Sequence, residues 1–367
     1  MNILILTGKF GMGHWAASQS LRQQLLRGFP DAVAEVEDFP AYVLPNASEA
    51  IYKFFHLVVT HGTHLFNTWY KLTAMGHTDA CPPLEGLFLD KLAELLEKYR
   101  PDAVIATHPL CAQIMSRLKE EAARKENCCL DIPLFTCITD VSSHPEWVNR
   151  NTDCYLVPSR EVKESLEEKG VAPARIFVTG IPVREEFRRL PERNGGQHRE
   201  LLIMGGGLGL LPSEESFYEA LNKIPNTRVT IITGHNKKLF RRLAGRWENI
   251  EVLGYTDCVW EYMAKADMIV TKPGGITLFE SIYAQVPIYT WPPSLCQEQG
   301  NARWLTGKGI GWVARGEDCA EEIREILMDG KRLAQAAARM KMVRQQLEVE
   351  GINRLMAAIA GSEEAAA

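Results

Sequence analysis

The chain has no Cys-x-x-Cys pair, no block of one charge sign, and no apolar run long enough to cross a bilayer. Each absence removes a class of protein. The nine cysteines (81, 111, 128, 129, 137, 154, 258, 296 and 319) carry no metal-ribbon or redox-motif spacing, and they predict buried or free thiols of a reducing cytoplasm. The longest uncharged stretches, Phe54–Tyr70 and Ser281–Gln297, are near 17 residues, and they are interrupted by three histidines and a glycine and by three prolines. Neither predicts a membrane span, so any membrane contact would be peripheral. Met1-Asn2 leads directly into the apolar run Ile3–Leu6 without a leader pattern, which again predicts a cytoplasmic protein. Residues 1–198 hold 21 basic and 25 acidic side chains and residues 199–367 hold 20 and 21, so bulk charge predicts no nucleic-acid partner. His61-x-x-His64, with His56 and His77, has no carboxylate between Glu49 and Asp79, and no metal site is expected there.

What remains is ordinary globular composition, 46% hydrophobic and 24% charged, over 367 residues, which predicts two domains. Short apolar runs recur: Ile3–Leu6, Val33–Val36, Ala103–Ala106, Leu134–Ile138, Cys154–Val157 and Ile176–Val178. Helical periodicity lies between them, at Trp15–Leu26 and Asp90–Tyr99. The texture breaks over the charged segment 184–199 and then restarts at Leu201–Met204, Arg228–Thr233, Glu251–Leu253, Met268–Val270 and Pro287–Tyr289. Strands alternating with helices predict α/β architecture: two doubly wound, Rossmann-like domains facing across a cleft. The expected boundaries are 1–183, a linker 184–199, 200–335, and a C-terminal helix in 336–360.

Three loops carry chemistry. The first, Gly11-Met12-Gly13-His14-Trp15-Ala16, formally satisfies a dinucleotide fingerprint, with acids about 20 positions on. Its glycines form a strand-to-helix turn that presents His14 at a helix start, where the positive end of the helix favours neutral imidazole. His14 reads either as a general base or as a histidine that packs or caps the helix. The second loop, Gly205-Gly206-Gly207-Leu208-Gly209, reads as a close backbone approach to a ligand or as a hinge. The third runs from a strand through Lys272-Pro273-Gly274-Gly275-Ile276-Thr277 to Glu280. Free N–H groups, a hydroxyl and a helix start make an anion cradle, to which Lys272 adds charge. Glu280 follows Thr277 on the same helix face, placed to accept hydrogen bonds from a ribose diol. The polar cluster Gln297-Glu298-Gln299-Gly300-Asn301 suits sugar hydroxyls.

The block 272–302 resembles the donor site of family 28 glycosyltransferases, above all monogalactosyldiacylglycerol synthases and processive diacylglycerol glucosyltransferases. Gly11–His14, Ile138–Trp147 and Val178–Arg184 agree in the same order, so the resemblance spans nearly the whole chain. It implies the GT-B fold and an inverting transfer of a hexose from a UDP-sugar to a hydroxyl of a lipid acceptor, diacylglycerol or a glycosyl-diacylglycerol. It implies that His14 is catalytic. It further implies that Gly205, Gly206, Gly207, Gly209, Lys272, Pro273, Gly274, Gly275, Thr277, Glu280, Gln297, Glu298 and Asn301 serve the donor. Gly11, Gly13, Asp140, His144 and Trp147 would lie on the acceptor side. Cys296 stands where relatives commonly carry a glycine before the glutamine. The chain contains no Asp-x-Asp, the pair with which metal-dependent transferases of the other fold hold a diphosphate. The expectation is therefore no tightly bound cofactor and no required metal, with UDP-sugar as substrate.

One stretch fits a lipid partner. Between Glu49 and Asp79 the only charges are Lys53 and Lys71, set among Tyr52, Phe54, Phe55, Phe66, Trp69 and Tyr70. Rings and cations without acid suit a membrane surface, and rings alone suit a core. The family resemblance favours the membrane, and with it a cytoplasmic protein held peripherally to the bilayer.

Overall fold

A computed structural model describes residues 1–75, 84–125, 130–142, 144–191, 196–207, 209–316, 318–359 and 361; His77, Cys81, Cys128, Cys129, Ser143 and Leu208 lie outside them. The chain divides into two units, one of Met1–Glu185 with Leu347–Ala367 and one of Glu186–Gln346.

The first unit is built on six parallel strands: β1 (Asn2–Thr7), β2 (Val33–Asp38), β3 (Ala103–Ala106), β4 (Leu134–Cys137), β5 (Cys154–Val157) and β6 (Ile176–Val178). Their order is β2-β1-β3-β4-β5-β6. Residues 3–6 of β1 are all buried, as an internal strand with both faces covered requires. On one face, Leu21 and Leu25 of the helix Met12–Gly28 join Ile3, Ile5, Ile352 and Met356 in a single core. The last two come from the helix Gly351–Ile359. A Cβ at Gly28 would meet the Asn353 amide at 2.8 Å, so a glycine there gives that helix room to pack. On the other face, Leu4 and Leu6 pack with Phe88, Leu92 and Ile114. Each such side chain contributes about 1.5–3 kcal/mol on burial.

The second unit repeats the plan with β7 (Arg199–Met204), β8 (Thr227–Ile232), β9 (Ile250–Leu253), β10 (Met268–Thr271), β11 (Ile288–Thr290) and β12 (Gly311–Val313), in the order β12-β11-β10-β7-β8-β9. All pairs are parallel, with Leu202 opposite both Ile269 and Thr230.

The sheet order changes direction between β1 and β3 in the first unit, and between β7 and β10 in the second. In open α/β sheets, crevices for ligands form at the carboxyl ends of such strands. The expected loops stand there: 8–14 after β1, 205–209 after β7 and 272–275 after β10.

Among the described residues the apolar runs mark eleven of the twelve strands, and β12 is the addition. Helix is also more extensive than periodicity indicates. The segment 336–360 is not one helix. Gly330–Gln345 belongs to the second unit, and Gly351–Ile359 belongs to the first. Within 184–199 a short helix, Glu185–Arg188, precedes β7.

Candidate active site

In the first unit the site is organised by a histidine and the residues that end β3 and β4. His14 lies in the first turn of the helix Met12–Gly28, whose N-cap, Gly11, supplies no side-chain hydrogen bond. The backbone at Gly11 is extended (φ −167°), a conformation open to any residue. A Cβ at Gly11 or Gly13 would meet nothing within 4 Å. These glycines therefore leave the helix start bare, and the turn that presents His14 is one any residue could make.

The His14 Nδ1 atom lies 2.9 Å from the carbonyl oxygen of Thr107 and 2.7 Å from the Thr139 hydroxyl. A carbonyl only accepts, so Nδ1 carries the hydrogen and the lone pair sits on Nε2. The Thr107 hydroxyl donates to the backbone oxygen of His14 at 3.3 Å, so one threonine fixes both the ring and the main chain. Burial pushes the imidazole below its ordinary pKa, while the charge of Asp140 and the Thr107 carbonyl pull it up. The result is a neutral imidazole with a defined basic nitrogen, as a general base needs.

His108 completes the pair. Its ring stands edge-on to His14 at 4.7 Å between centroids. It caps the helix Pro109–Arg124, its Nδ1 accepting from the Leu110 N–H at 3.2 Å. Its hydrogen is therefore on Nε2, the opposite tautomer to His14. Burial, with a smaller push from His14, drives its pKa well down, so both rings are uncharged.

The remaining acceptor-side residues divide. Asp140 is half-buried and acts on His14 through its charge. Trp147 is a core residue, packed with Ile138 and Tyr155, its ring 6.2 Å from that of His14. His144 is buried too. Its Nε2 lies 3.0 Å from the Tyr70 carbonyl, and its Nδ1 accepts from the Glu146 N–H. These two were expected to line a cleft. They instead pack beneath the site, and His144 fastens the helix Thr63–Met75 to the loop after β4.

That helix and its predecessor, Ser48–His61, carry the acid-poor aromatic stretch. Its rings part into two sets. Tyr52 and Phe55 pack edge-on against Phe10, and Phe66 packs against Phe55 and Tyr70. Phe54, Leu57, Leu65, Trp69 and Leu72 are each more than half exposed. The spacing 65, 69, 72 sets three of these on one helix face. Among the described residues, no helix is long and apolar enough to cross a membrane.

In the second unit the residues expected to serve the donor lie in the segments that follow β7, β10 and β11. The helix Gly275–Ala284 begins after Gly274 with no side-chain cap and no acid in its first turn. A Cβ at Gly274 would again meet nothing within 4 Å. No side-chain cap satisfies the helix's first N–H groups, an arrangement that suits an anion. Thr277 and Glu280 follow on this helix and are both half-buried. Asn301, fully buried, donates from Nδ2 to the Pro273 carbonyl at 2.9 Å and so fixes the turn that shapes the cradle. Its side chain is buried and its amide nitrogen bonds that turn, so the expectation that it faces the donor sugar or its phosphates narrows to shaping the turn beside them. Lys272 Nζ lies 2.9 Å from Glu298 Oε1, so cradle cation and sugar-loop carboxylate are paired. Gln297 is half-buried one residue before Glu298 on the helix Cys296–Gly307.

The loop after β7 is folded on itself, with Gly209 N–H donating to Gly206 O and Leu210 N–H to Gly205 O, both at 3.0 Å. Gly206 and Gly209 have φ of +68° and +62°. A Cβ on Gly209 would stand 2.0 Å from the Thr233 oxygen, and one on Gly205 2.4 Å from the Leu210 nitrogen. A Cβ on Gly206 would meet only Lys272 Cε, at 3.5 Å. Gly205 and Gly209 thus serve loop packing, and Gly206 is the position turned toward the cradle. The Gly207 carbonyl accepts from the His235 N–H at 2.9 Å.

Thr107, His108 and Thr139 were not singled out from sequence. Their signal is positional: Thr107 and His108 directly follow β3, beside the strand-order change, and Thr139 stands two residues beyond β4 on the neighbouring strand.

Residues 14–183 match the family described as monogalactosyldiacylglycerol (MGDG) synthase, and residues 201–354 match the glycosyltransferase family 28 C-terminal domain. The chain is 29% identical over 355 residues to the processive diacylglycerol beta-glucosyltransferase of Bacillus subtilis, covering 89% of this chain and 87% of that one. It is 29% identical over 353 residues to the enzyme of the same name from Staphylococcus carnosus, covering 92% and 88%. Among solved structures, MurG of Acinetobacter baumannii superposes with a TM-score of 0.65 at 14% identity, over 98% of this chain and 99% of that one, a likeness of fold. The fold is GT-B, and the chain belongs to the family 28 glycosyltransferases of the monogalactosyldiacylglycerol synthase type.

Proposed function

We propose that this glycosyltransferase moves a hexose from a UDP-sugar to a hydroxyl of diacylglycerol or a glycosyl-diacylglycerol, with inversion at the anomeric carbon. The observation that carries the reading is the 2.9 Å contact of His14 Nδ1 with the Thr107 carbonyl, which assigns the hydrogen to Nδ1 and the lone pair to Nε2. In a single displacement, Nε2 takes the proton of the acceptor hydroxyl as its oxygen attacks the anomeric carbon. The bond from that carbon to the diphosphate breaks, and its electron pair leaves on the UDP oxygen. The bare helix start at Gly274–Thr277 and the Lys272 ammonium receive that charge, the role a metal fills elsewhere. Diphosphate binding competes with Glu298 for Lys272, whose side chain is 41% exposed and able to turn. The released Glu298 carboxylate is then available to a sugar hydroxyl, and Glu280 to the ribose.

The exposed apolar face of the two helices in 48–75 supports peripheral attachment to a bilayer, where a diacylglycerol acceptor resides. The names of the relatives from Bacillus and Staphylococcus support diacylglycerol as acceptor and glucose as the sugar. The test is incubation with a panel of UDP-sugars and diacylglycerol-containing vesicles, followed by product and anomer analysis. A β-linked glycosyl-diacylglycerol formed from an α-linked donor, and formed in the presence of EDTA, is expected. Turnover of UDP-sugar without acceptor would indicate an isomerase and overturn the reading.

A further inference from the structure

A groove of the second unit lies away from the donor cradle. It has a volume of about 640 Å³ and runs between β12 and the helix Gly330–Gln345. Trp312 and Arg315 line it from the strand side, and Arg332, Gln335 and Arg339 from the helix. None of these three arginines is in an ion pair with a carboxylate among the described residues. The nearby acid, Glu322, is occupied by the Tyr289 hydroxyl and by the N–H groups of Arg315 and Gly316. The helix carries Lys331, Arg332, Arg339, Lys341 and Arg344 and no acidic residue, and of these Arg332 and Arg339 line the groove. Arg332 lies over the Trp312 ring at 4.8 Å from its centroid, which orients its guanidinium while leaving N–H edges to bond.

β12 is the edge of its sheet, so an added peptide strand is the first occupant to weigh. Both ends of that edge are blocked. Arg339 Nη1 donates to the Gly309 carbonyl at 3.3 Å, and the Arg315 N–H is bound to Glu322. Ile310 O and Ala314 N are bonded to β11, so alternation turns only Gly311 and Val313 outward. Two residues are too short an edge for a strand, which typically runs about 5–6. A compact anion fits better. Guanidinium forks match phosphate oxygens, and ligand pockets of about 300–1,000 Å³ hold a phosphate together with a body the size of a sugar or glycerol.

We infer that this groove binds a phosphate-bearing ligand through Arg315, Arg332 and Arg339, at a site separate from the donor cradle. The phosphate comes from a soluble phosphorylated compound or from a lipid headgroup. The inference stands whether or not the proposed acceptor is right.

The test uses the full chain saturated with UDP, which fills the cradle. It is titrated with glycerol 1-phosphate and, separately, mixed with vesicles of phosphatidylcholine alone or with phosphatidylglycerol. Saturable binding of one probe that persists under UDP is expected, weakened at least tenfold by Arg315→Gln with Arg332→Gln while UDP affinity is unchanged. Loss confined to glycerol 1-phosphate identifies a soluble ligand, and loss confined to the phosphatidylglycerol-dependent part of vesicle binding identifies a headgroup. Arg315→Gln alone alters only an exposed side chain, and it should weaken the same probe should the double variant fail to fold. Binding abolished by UDP, or unchanged in these variants, overturns the inference.

Discussion

The Nδ1 atom of His14 sits 2.9 Å from the carbonyl oxygen of Thr107, a residue 93 positions later in the chain. That contact decides which imidazole nitrogen is basic. It also ties together the segments that follow two neighbouring strands of one sheet, β1 and β3.

His14→Ala should cut kcat by about 10²–10⁴-fold, the usual range for a general base, with UDP affinity in calorimetry unchanged. His108→Phe keeps a ring against Phe10 but removes the N-cap acceptor and the Nε2–H. It should lower activity less than His14→Ala. Equal turnover in wild type and His14→Ala would remove His14 from the mechanism.

The pH profile follows from the direction of the His14 shift. Burial lowers its pKa below 6.5, so the base stays neutral through pH 7, and activity falls only at more acid pH. Asp140 pulls that pKa upward. In Asp140→Asn the acid limb of kcat should therefore move to lower pH, with a lower plateau because the base is weaker. An acid limb that stays in place would show that another group titrates.

The glycines offer opposite predictions within one unit. Gly209→Ala forces a Cβ against the Thr233 oxygen at a positive φ and should cost at least about 1–3 kcal/mol of stability in denaturant unfolding. Gly274→Val has open space and should leave stability nearly unchanged, yet weaken UDP binding by filling the cradle mouth. Glu280→Ala should also weaken UDP about tenfold, roughly 1.4 kcal/mol. Intact UDP affinity in both cradle variants would place the nucleotide elsewhere.

Replacing Phe54, Leu57, Leu65, Trp69 and Leu72 by serine removes the exposed apolar face but spares Phe55 and Phe66 beneath it. Vesicle co-sedimentation should be lost, and activity on a short-chain, water-soluble diacylglycerol should persist. Undiminished sedimentation would assign that face another partner.

Much of this architecture is legible in the chain because parallel strands buried on both faces show as short apolar runs, each closed by a polar loop. β12 escapes that rule: Gly311-Trp312-Val313 is three residues long and begins with glycine, and its strand state comes from pairing with β11. The helix start at Gly274 is visible as a motif, but the job of Asn301 is not. A buried amide that holds a proline carbonyl 28 residues away looks, in sequence, like any polar residue near a sugar. The division of the aromatic stretch likewise depends on Phe10, which only the fold brings beneath Tyr52 and Phe55.

The return of the helix Gly351–Ile359 to the first unit has a consequence during synthesis. The strands of that unit are made before residues 186–346, yet Ile352 and Met356, which complete the core over Leu21 and Leu25, are made after them. Residues 186–346 are thus an insertion within the earlier unit. On the ribosome, the half that bears His14 keeps an uncovered apolar face until the other half has been made. A chain stopped after Gln346 would carry that open face permanently and should aggregate, although it keeps every residue proposed here for catalysis.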